Sequence, residues 1–439
     1  MSRRLLRAAR GAAVLGAVGS SALAAGFAIE DRSASQLGMA NAGAAAAAED
    51  ASTIADNPAG IARLPGPELS ASGTFISPYL PFRNTGSTFP GGAPINGPND
   101  NGGGFAPVPG FFYAQPVGEG FSAGVGMLTS FGLATNYKTG WVGRYVAKST
   151  ELTTLDFAPT IAYQLAPGIA VGVSPVLRYS KAKLATAIDF GAIGAAAGIP
   201  GAAPGSADGS IKIKGHAWSA AFNGGVLLEP TDTTRLGIAY FWNDSAGIDG
   251  SARFGRPPLG DLIARASGSF VDTDTKLVLG YPDHLNIGIV QTITPELDVR
   301  LGASWVQWHS FKEERITFRN PQQPDSLTIE HWHDTVIVAV GGSYRLTPDL
   351  VLRAGIGYDQ TPISDPQHRN PRLPDASRIT PSVGFGYRIT PATSFDVAYQ
   401  RLIGVGNVKS DETVPTGDRT VGNTRLSADI FGVQLNVRF

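Results

Sequence analysis

The chain has no cysteine in its 439 residues. It has no disulfide staples, so a chain of this size must be held by burial or by membrane insertion. Beyond the leader described below, no window approaches 18 uninterrupted apolar residues, which argues against transmembrane helices. The formal charge is only −1, far from the basic balance that nucleic acid requires. Histidine is scarce, with 6 in the chain. His331 and His333 fall on one strand face, but no third ligand lies near them, so no metal is expected. His309 beside Ser310 is a neighbour pair without a spatial triad. Gly124 and Gly126 lie in a strand pattern rather than before a helix, so phosphate binding is not indicated. Neither catalysis nor a cofactor is expected.

What is present begins with an export signal. Arg3, Arg4, Arg7 and Arg10 form a basic head, a short apolar stretch follows, and Ala22-Leu23-Ala24 is a small-residue cleavage site. Residues 1–24 are therefore read as a signal peptide, with Ala25 as the mature start. Losing four arginines and no acid takes the formal charge from −1 to −5.

From residue 67 to 439 the pattern is strand after strand. Phe431, Val433, Leu435, Val437 and Phe439 alternate with Gln434, Asn436 and Arg438. Leu350, Leu352, Ala354, Ile356 and Tyr358 alternate with Arg353 and Asp359 in the same way. Side chains of a strand point alternately to its two faces, so each such strand has one apolar and one polar side. Tight turns rich in glycine and proline fall at 117–120, 166–168, 229–232, 294–296, 347–349 and 390–392. Longer loops near 83–104, 131–149, 191–210, 256–268, 320–327, 361–376 and 404–421 alternate with them. Strict short–long alternation is the signature of an up-and-down barrel with one trimmed rim. Six turns and seven loops predict an all-β transmembrane antiparallel barrel of about 14 strands. Strands of roughly 15–20 residues exceed what a bilayer needs, so the barrel is expected to project outward. Trp141, Trp242, Trp305, Trp308 and Trp332 are expected in interfacial girdles.

Residues 25–66 break the strand pattern. They are small, polar and alanine-rich, too long for a linker, and lie between the leader and the strands. Their simplest home is inside the barrel, as a hatch. The AGF at 25–27, Ser35–Gly38, the run after Gly43, Asp50-Ala51-Ser52 and Asn57-Pro58-Ala59 resemble the hatch of FadL-type long-chain fatty acid transporters, a family that includes aromatic-hydrocarbon channels. Phe131–Thr135 followed by Trp141 and Tyr145, Trp218 in strand 6, Gly355–Asp359 and Arg378 extend the resemblance along the chain.

The resemblance implies a fourteen-stranded barrel that takes substrate from outside and releases it sideways into the membrane. It places the cationic ligand contact in Arg178–Lys183, where Lys181 and Lys183 share a face by period 2. A second cation falls near His333, where histidine is a departure that weakens the case for a carboxylate. Phe27 joins these as an apolar ligand contact. Asn57, Pro58 and Ala59 are the expected gate, with proline fixing one dihedral. Ile193 and Ile199 in one loop, and Leu259, Leu262 and Ile263 in another, are candidate capture residues. Prolines are scarce inside strands, yet Pro107, Pro109, Pro159 and Pro175 surround strand 3, which itself carries Gly124 and Gly126. Gly124, Gly126 and Pro159 therefore mark an expected lateral opening.

The expected function is passive, hatch-gated uptake of hydrophobic small molecules across the outer membrane, foremost long-chain fatty acids. The expected partners are that ligand and outer-membrane lipid, and the expected state is a monomer. Uptake of aromatic hydrocarbons is the first alternative. A general porin or structural outer-membrane protein is the second, and the 40-residue hatch argues against it.

Overall fold

The computed structural model describes residues 26–439. The leader and the cleavage point before Ala25 lie outside the described residues.

Fourteen strands form the barrel: β1 (Glu68–Tyr79), β2 (Ala106–Gly118), β3 (Phe121–Leu128), β4 (Ser149–Ala166), β5 (Ile169–Asp189), β6 (Asp208–Thr231), β7 (Thr234–Asn243), β8 (His284–Thr294), β9 (Leu297–Val306), β10 (Thr335–Arg345), β11 (Leu350–Asp359), β12 (Arg378–Thr390), β13 (Thr393–Gly404) and β14 (Ser427–Arg438). Neighbours in sequence are neighbours in space, and all pairings are antiparallel. β14 closes on β1, from Glu68 opposite Arg438 to Tyr79 opposite Ser427. Closure joins the last strand to the first, the condition for spanning a bilayer with strands.

Burial along the strands is inverted relative to a soluble protein. On β14, Phe431, Val433 and Leu435 are exposed, while Ile430, Gln434 and Asn436 are buried. On β11, Leu352, Ile356 and Tyr358 are exposed, whereas Arg353 points inward and pairs with Asp396 at 2.6 Å. Exposed apolar side chains recur on every wall strand, which is what lipid requires of an outer face.

Strand length is less even than expected. β3 has 8 residues and β6 has 24. β4 and β5, with 18 and 21 residues, make one side of the wall taller. Elsewhere the height is made up by extensions: Ala246–Gly255 and Thr273–Leu279 above β7 and β8, Glu313–Phe318 and Ser326–Ile329 above β9 and β10. A second sheet of Val408–Thr413, Arg419–Thr424, Pro81–Asn84 and Asp100–Asn101 ties the first loop to the last.

The expected tryptophan girdle is corrected in part. Trp242 and Trp305 face outward, joined by Trp218. Trp141 is buried in an outer-loop core, stacked on Tyr137 at 3.9 Å. Trp308 and Trp332 are buried inside the barrel. Both follow the ends of regular strands, where period 2 no longer fixes direction.

Residues 26–66 fill the lumen. They form α1 (Ala34–Leu37), α2 (Ala44–Ala47) and the tight helical turns Ala51–Ala55 and Pro58–Arg63. Small residues let this irregular backbone lie against the wall, and the wall satisfies its polar groups. Arg235 donates to the carbonyls of Ala46 and Ala47 at 3.0 Å each. Gln434 accepts from Ser33 Oγ and from the Ala34 N–H. Arg300 pairs with Glu49.

Candidate ligand site and gate

The barrel wall is interrupted at β3. The β2–β3 ladder runs from Gly118 opposite Phe121 to Phe111 opposite Met127 and stops there. Ala106–Gly110 of β2 continue to pair with β1 alone. Pro107 and Pro109 sit in that one-sided stretch, where a missing N–H costs least. After Leu128 the chain leaves the wall. It pairs instead with the start of the hatch: Ile29 N–H donates to Ser130 O at 2.8 Å, and Gly132 N–H to Phe27 O at 2.9 Å. Thr154 Oγ1 donates to Phe131 O at 2.8 Å and accepts from Phe131 N–H at 3.0 Å. Gly132–Asn136 then rejoin β4. The result is a gap in the wall whose inner side is closed by residues 27–29.

Phe27 is carried by that segment into an aromatic cage. Its ring centroid lies 5.0 Å from Trp308, 5.4 Å from Phe311, 5.9 Å from Phe131, 6.1 Å from Trp332 and 6.2 Å from Tyr281. Phe27 is only 1% exposed. Mostly edge-to-face contacts of this kind favour the packed arrangement beyond its area burial. The cage belongs to an apolar cluster that runs on through Leu133, Leu152, Leu184, Ile248, Leu277 and Leu279. Gly26, at φ +64°, is required here, because a Cβ would lie 2.5 Å from Trp332 and 2.7 Å from Trp308.

A cation borders the cage. The Arg178 guanidinium lies over Phe131 at 4.6 Å and over Tyr281 at 4.8 Å from the ring centroids. Asp156 holds it with two contacts of 2.8 Å. Ser180 Oγ and Tyr281 OH are 2.8 Å apart beside it. Above the membrane, Glu330 accepts from Trp332 Nε1 at 3.0 Å and from Asn370 Nδ2 at 3.3 Å. Burial pushes the Glu330 carboxyl well above its usual range, and Glu314 and Glu412 add to the rise.

The candidate residues fall in three groups. Phe27 is in the cage. Lys181 and Lys183 do share a face, but it is the outer one: Ser180, Ala182 and Leu184 are the buried positions of that stretch. Lys183 pairs with Glu151 at 2.8 Å on the outside of the wall. Arg178, three residues earlier than Lys181 and of opposite phase, is the lumen cation. His333 is exposed beside the buried Trp332, so the tryptophan, not the histidine, reaches the cage.

Asn57, Pro58 and Ala59 lie fully buried against β5 and β6. Asn57 Nδ2 donates to Ala45 O at 2.8 Å and to Val226 O at 3.0 Å. Its Oδ1 accepts from Ala59 N–H at 3.0 Å, capping the turn that follows. A Cβ on Gly225 would sit 2.0 Å from Asn57 Oδ1, so the wall admits this turn only through a glycine. These contacts anchor the hatch to the wall at β5 and β6.

Gly124 and Gly126 are paired on both sides, to Ala114 and Thr160 and to Phe112 and Ala158, so they do not form the break. Their missing side chains make room for the hatch residue Ile54, 3.0 Å from where each Cβ would be. Pro159 lies where the β4–β5 register skips from Phe157 to Ile161, one strand beyond the gap.

The capture candidates lie on α3 (Phe190–Ala196), the turn after it, and α4 (Pro258–Ser267). Ile193, Ile199 and Leu259 are half-buried, Ile263 is buried, and Leu262 is 55% exposed. The two helices pack on one another, with Leu259 of α4 set against Gly194 of α3. Arg178, Phe131, Tyr281, Trp308, Phe311 and Trp332 were not among the site candidates. Parity could have found the first, because Val171, Val173 and Leu177 mark odd positions of β5 as lipid-facing.

A closed barrel with a lipid-facing apolar coat, an internal hatch and an apolar cage behind a wall gap defines an outer-membrane transport barrel. The chain belongs to the family of outer membrane protein transport proteins (OMPP1/FadL/TodX), whose family model matches residues 15–439. It is 30% identical over 437 residues to the 47 kDa outer membrane protein of Pasteurella multocida strain Pm70, covering 98% of this chain and 97% of that one. It is 27% identical over 442 residues to the long-chain fatty acid transport protein of Salmonella typhi, covering 96% of each. The fold superposes on the crystal structure of a Pseudomonas aeruginosa FadL homologue with a TM-score of 0.85 at 22% identity, over 94% of this chain and 100% of that one. The protein is accordingly an outer-membrane transporter of hydrophobic compounds.

Proposed function

We propose that this protein takes up long-chain fatty acids as a monomer, by displacing Phe27 and releasing the ligand sideways through the β3 gap. The observation that carries the reading is the double role of residues 27–29. They fill the aromatic cage and they close the inner side of the gap. An acyl chain that replaces the Phe27 ring in the cage removes the obstruction in the same event. Asn57, Pro58 and Ala59 hold the rest of the hatch on β5 and β6, so movement is confined to residues 26–32.

The apolar cluster continues well beyond one aromatic ring, which suits a chain more than a monocyclic ligand. Beyond its bonds to Asp156 and Asn243, Arg178 keeps one N–H on each terminal nitrogen that can donate to a carboxylate. The fatty acid transport function of the Salmonella typhi relative agrees with this. One observation favours the aromatic-hydrocarbon alternative: Asp156 already neutralises Arg178, and the cage is lined by rings. A hatch that fills the lumen speaks against an open porin.

The test is competition in mild detergent, followed by native mass spectrometry with lipid extraction and by tryptophan emission. Trp308 and Trp332 touch Phe27, so its displacement changes their emission. Co-purified fatty acid displaced by oleate, with an emission shift, supports the proposal. Saturable binding of toluene without competition by oleate moves the assignment to aromatic hydrocarbons. Binding of neither, with steady ion conductance in planar bilayers, overturns gated uptake.

A further inference from the structure

The outer face of the wall carries a cationic ladder that the transport reading does not use. On β5, β6 and the extension Ala246–Gly255, three rows stand side by side. Lys181 faces His216, which faces Asp249; Lys183 faces Lys214, which faces Ser251; Ala185 faces Lys212, which faces Arg253. Lys212, Lys214 and Arg253 are exposed. Lys183–Lys214 and Lys212–Arg253 are thus like charges placed directly opposite one another, an arrangement that destabilises a sheet unless an anion lies between them. Glu151 neutralises Lys183 alone. Among the described residues, Lys181, Lys212, Lys214 and Arg253 form no ion pair within 4.0 Å.

Height in the membrane selects the anion. The outward side chains of β5 below this ladder are Ile169, Val171, Val173, Pro175 and Leu177, ending at Tyr179. Tyr179 faces Trp218, which is 62% exposed, with Trp242 also exposed on β7. Aromatic rings at the end of an apolar band mark the membrane–water boundary. The cations begin two residues beyond that row and end six beyond it. At about 3.3 Å per residue this is roughly 7–20 Å further along the strand. That is the level of lipid headgroups on the outer side, not of the hydrocarbon or of bulk solvent.

We propose that this face of β5, β6 and the 246–255 extension binds a phosphorylated glycolipid of the outer leaflet, with phosphate groups between the opposed cations and acyl chains along the apolar band below. The ladder is outside the wall and the transport cage is inside it, so the proposal stands apart from the choice of transported ligand. The charge on the ladder explains two lysines whose spacing resembles a ligand contact but whose phase turns them away from the lumen.

The experiment uses the intact mature protein in non-ionic detergent, titrated with diphosphoryl lipid A and followed by native mass spectrometry. The comparison is K181Q/K212Q/K214Q, with K312Q as a charge control elsewhere on the surface. The expected result is a discrete adduct, weakened about tenfold or more in the triple variant. It should be unchanged in K312Q and restored by the arginine triple K181R/K212R/K214R. Because these positions are exposed, heat-modifiable migration should confirm that every variant retains its barrel. Equal binding by the triple variant, or equal binding of dephosphorylated lipid A, overturns the proposal. So does competition by millimolar inorganic phosphate, which would show a free-anion site, or equal binding of phosphatidylglycerol, which would show mere attraction to negative lipid. Displacement of lipid A by an acidic peptide at equal concentration would assign the face to a protein partner and overturn it as well.

Discussion

Arg178 and Asp156 face each other across β4 and β5 in a two-point pair, both contacts 2.8 Å, and both side chains are only 2% exposed. The open face of the guanidinium lies against Phe131 and Tyr281 rather than water. A buried pair of this geometry costs little to keep and much to break on one side. Arg178→Ala should therefore destabilise the barrel by about 3–5 kcal/mol through the orphaned Asp156. The double variant Arg178→Met/Asp156→Leu should recover most of that loss. The functional part is separable: wild type should bind oleate more tightly than oleyl alcohol, and the double variant should bind the two alike. Parallel titrations by tryptophan emission check this, and equal preference in the wild type would remove Arg178 from the ligand site.

Phe27→Ala should empty the cage without unfolding the wall. Loss of a buried ring costs on the order of 3–5 kcal/mol, and here it falls on the docking of residues 26–32. Acrylamide should quench Trp308 and Trp332 more strongly in the variant, with circular dichroism unchanged. Cells carrying it should also leak small hydrophobic dyes without added ligand. Unaltered quenching would mean that Phe27 does not seal the cage.

Asn57→Ala removes three hydrogen bonds, to Ala45, Val226 and Ala59. The expected cost is about 2–4 kcal/mol, localised to the hatch. Hydrogen exchange should rise in residues 44–60 and remain flat in the barrel strands. Gly225→Ala should produce the same pattern, because its methyl group enters the space of Asn57 Oδ1. A rise confined to residues 26–32 would make the Asn57 turn a hinge rather than an anchor.

The outer cap should be sensitive to pH. Burial, only partly offset by Arg372 and reinforced by Glu314, raises Glu412 from 4.5 to about 7, and burial raises Glu330 well above its usual range too. A carboxyl raised on folding holds its proton better in the folded form. Its contribution is fully present below pH 4.5 and is lost as pH rises through about 7. Segments 326–334 and 408–413 should therefore exchange more slowly at pH 5 than at pH 8, after correction for intrinsic rates. Glu412→Gln should flatten the difference. A cap better protected at pH 8 would contradict the assignment.

Much of the architecture could be read from residue order. Period-2 alternation and the spacing of Gly–Pro turns are local properties, and local properties survive in the fold: fourteen strands, one trimmed rim and a lumen-filling residue 26–66 segment all follow from them. The site was less legible. Period 2 puts Lys181 and Lys183 on one face but does not say which; the apolar odd positions of β5 carry that phase and turn both outward. Gly124 and Gly126 mark close approach of Ile54, not a bulge. A missing Cβ looks the same in sequence whichever neighbour needs the space.

What the sequence by itself determined is the barrel, its orientation of apolar and polar faces and the existence of a plug, because each depends on neighbours two to ten residues apart. What only the tertiary structure decided is where Phe27 goes, that Trp308 and Trp332 turn inward to meet it, that β3 leaves the wall after Leu128, and that Lys183 and Lys214 stand opposed on the outside. Each joins residues tens to hundreds of positions apart, and register between strands and the path of irregular backbone are set by packing that no local pattern encodes.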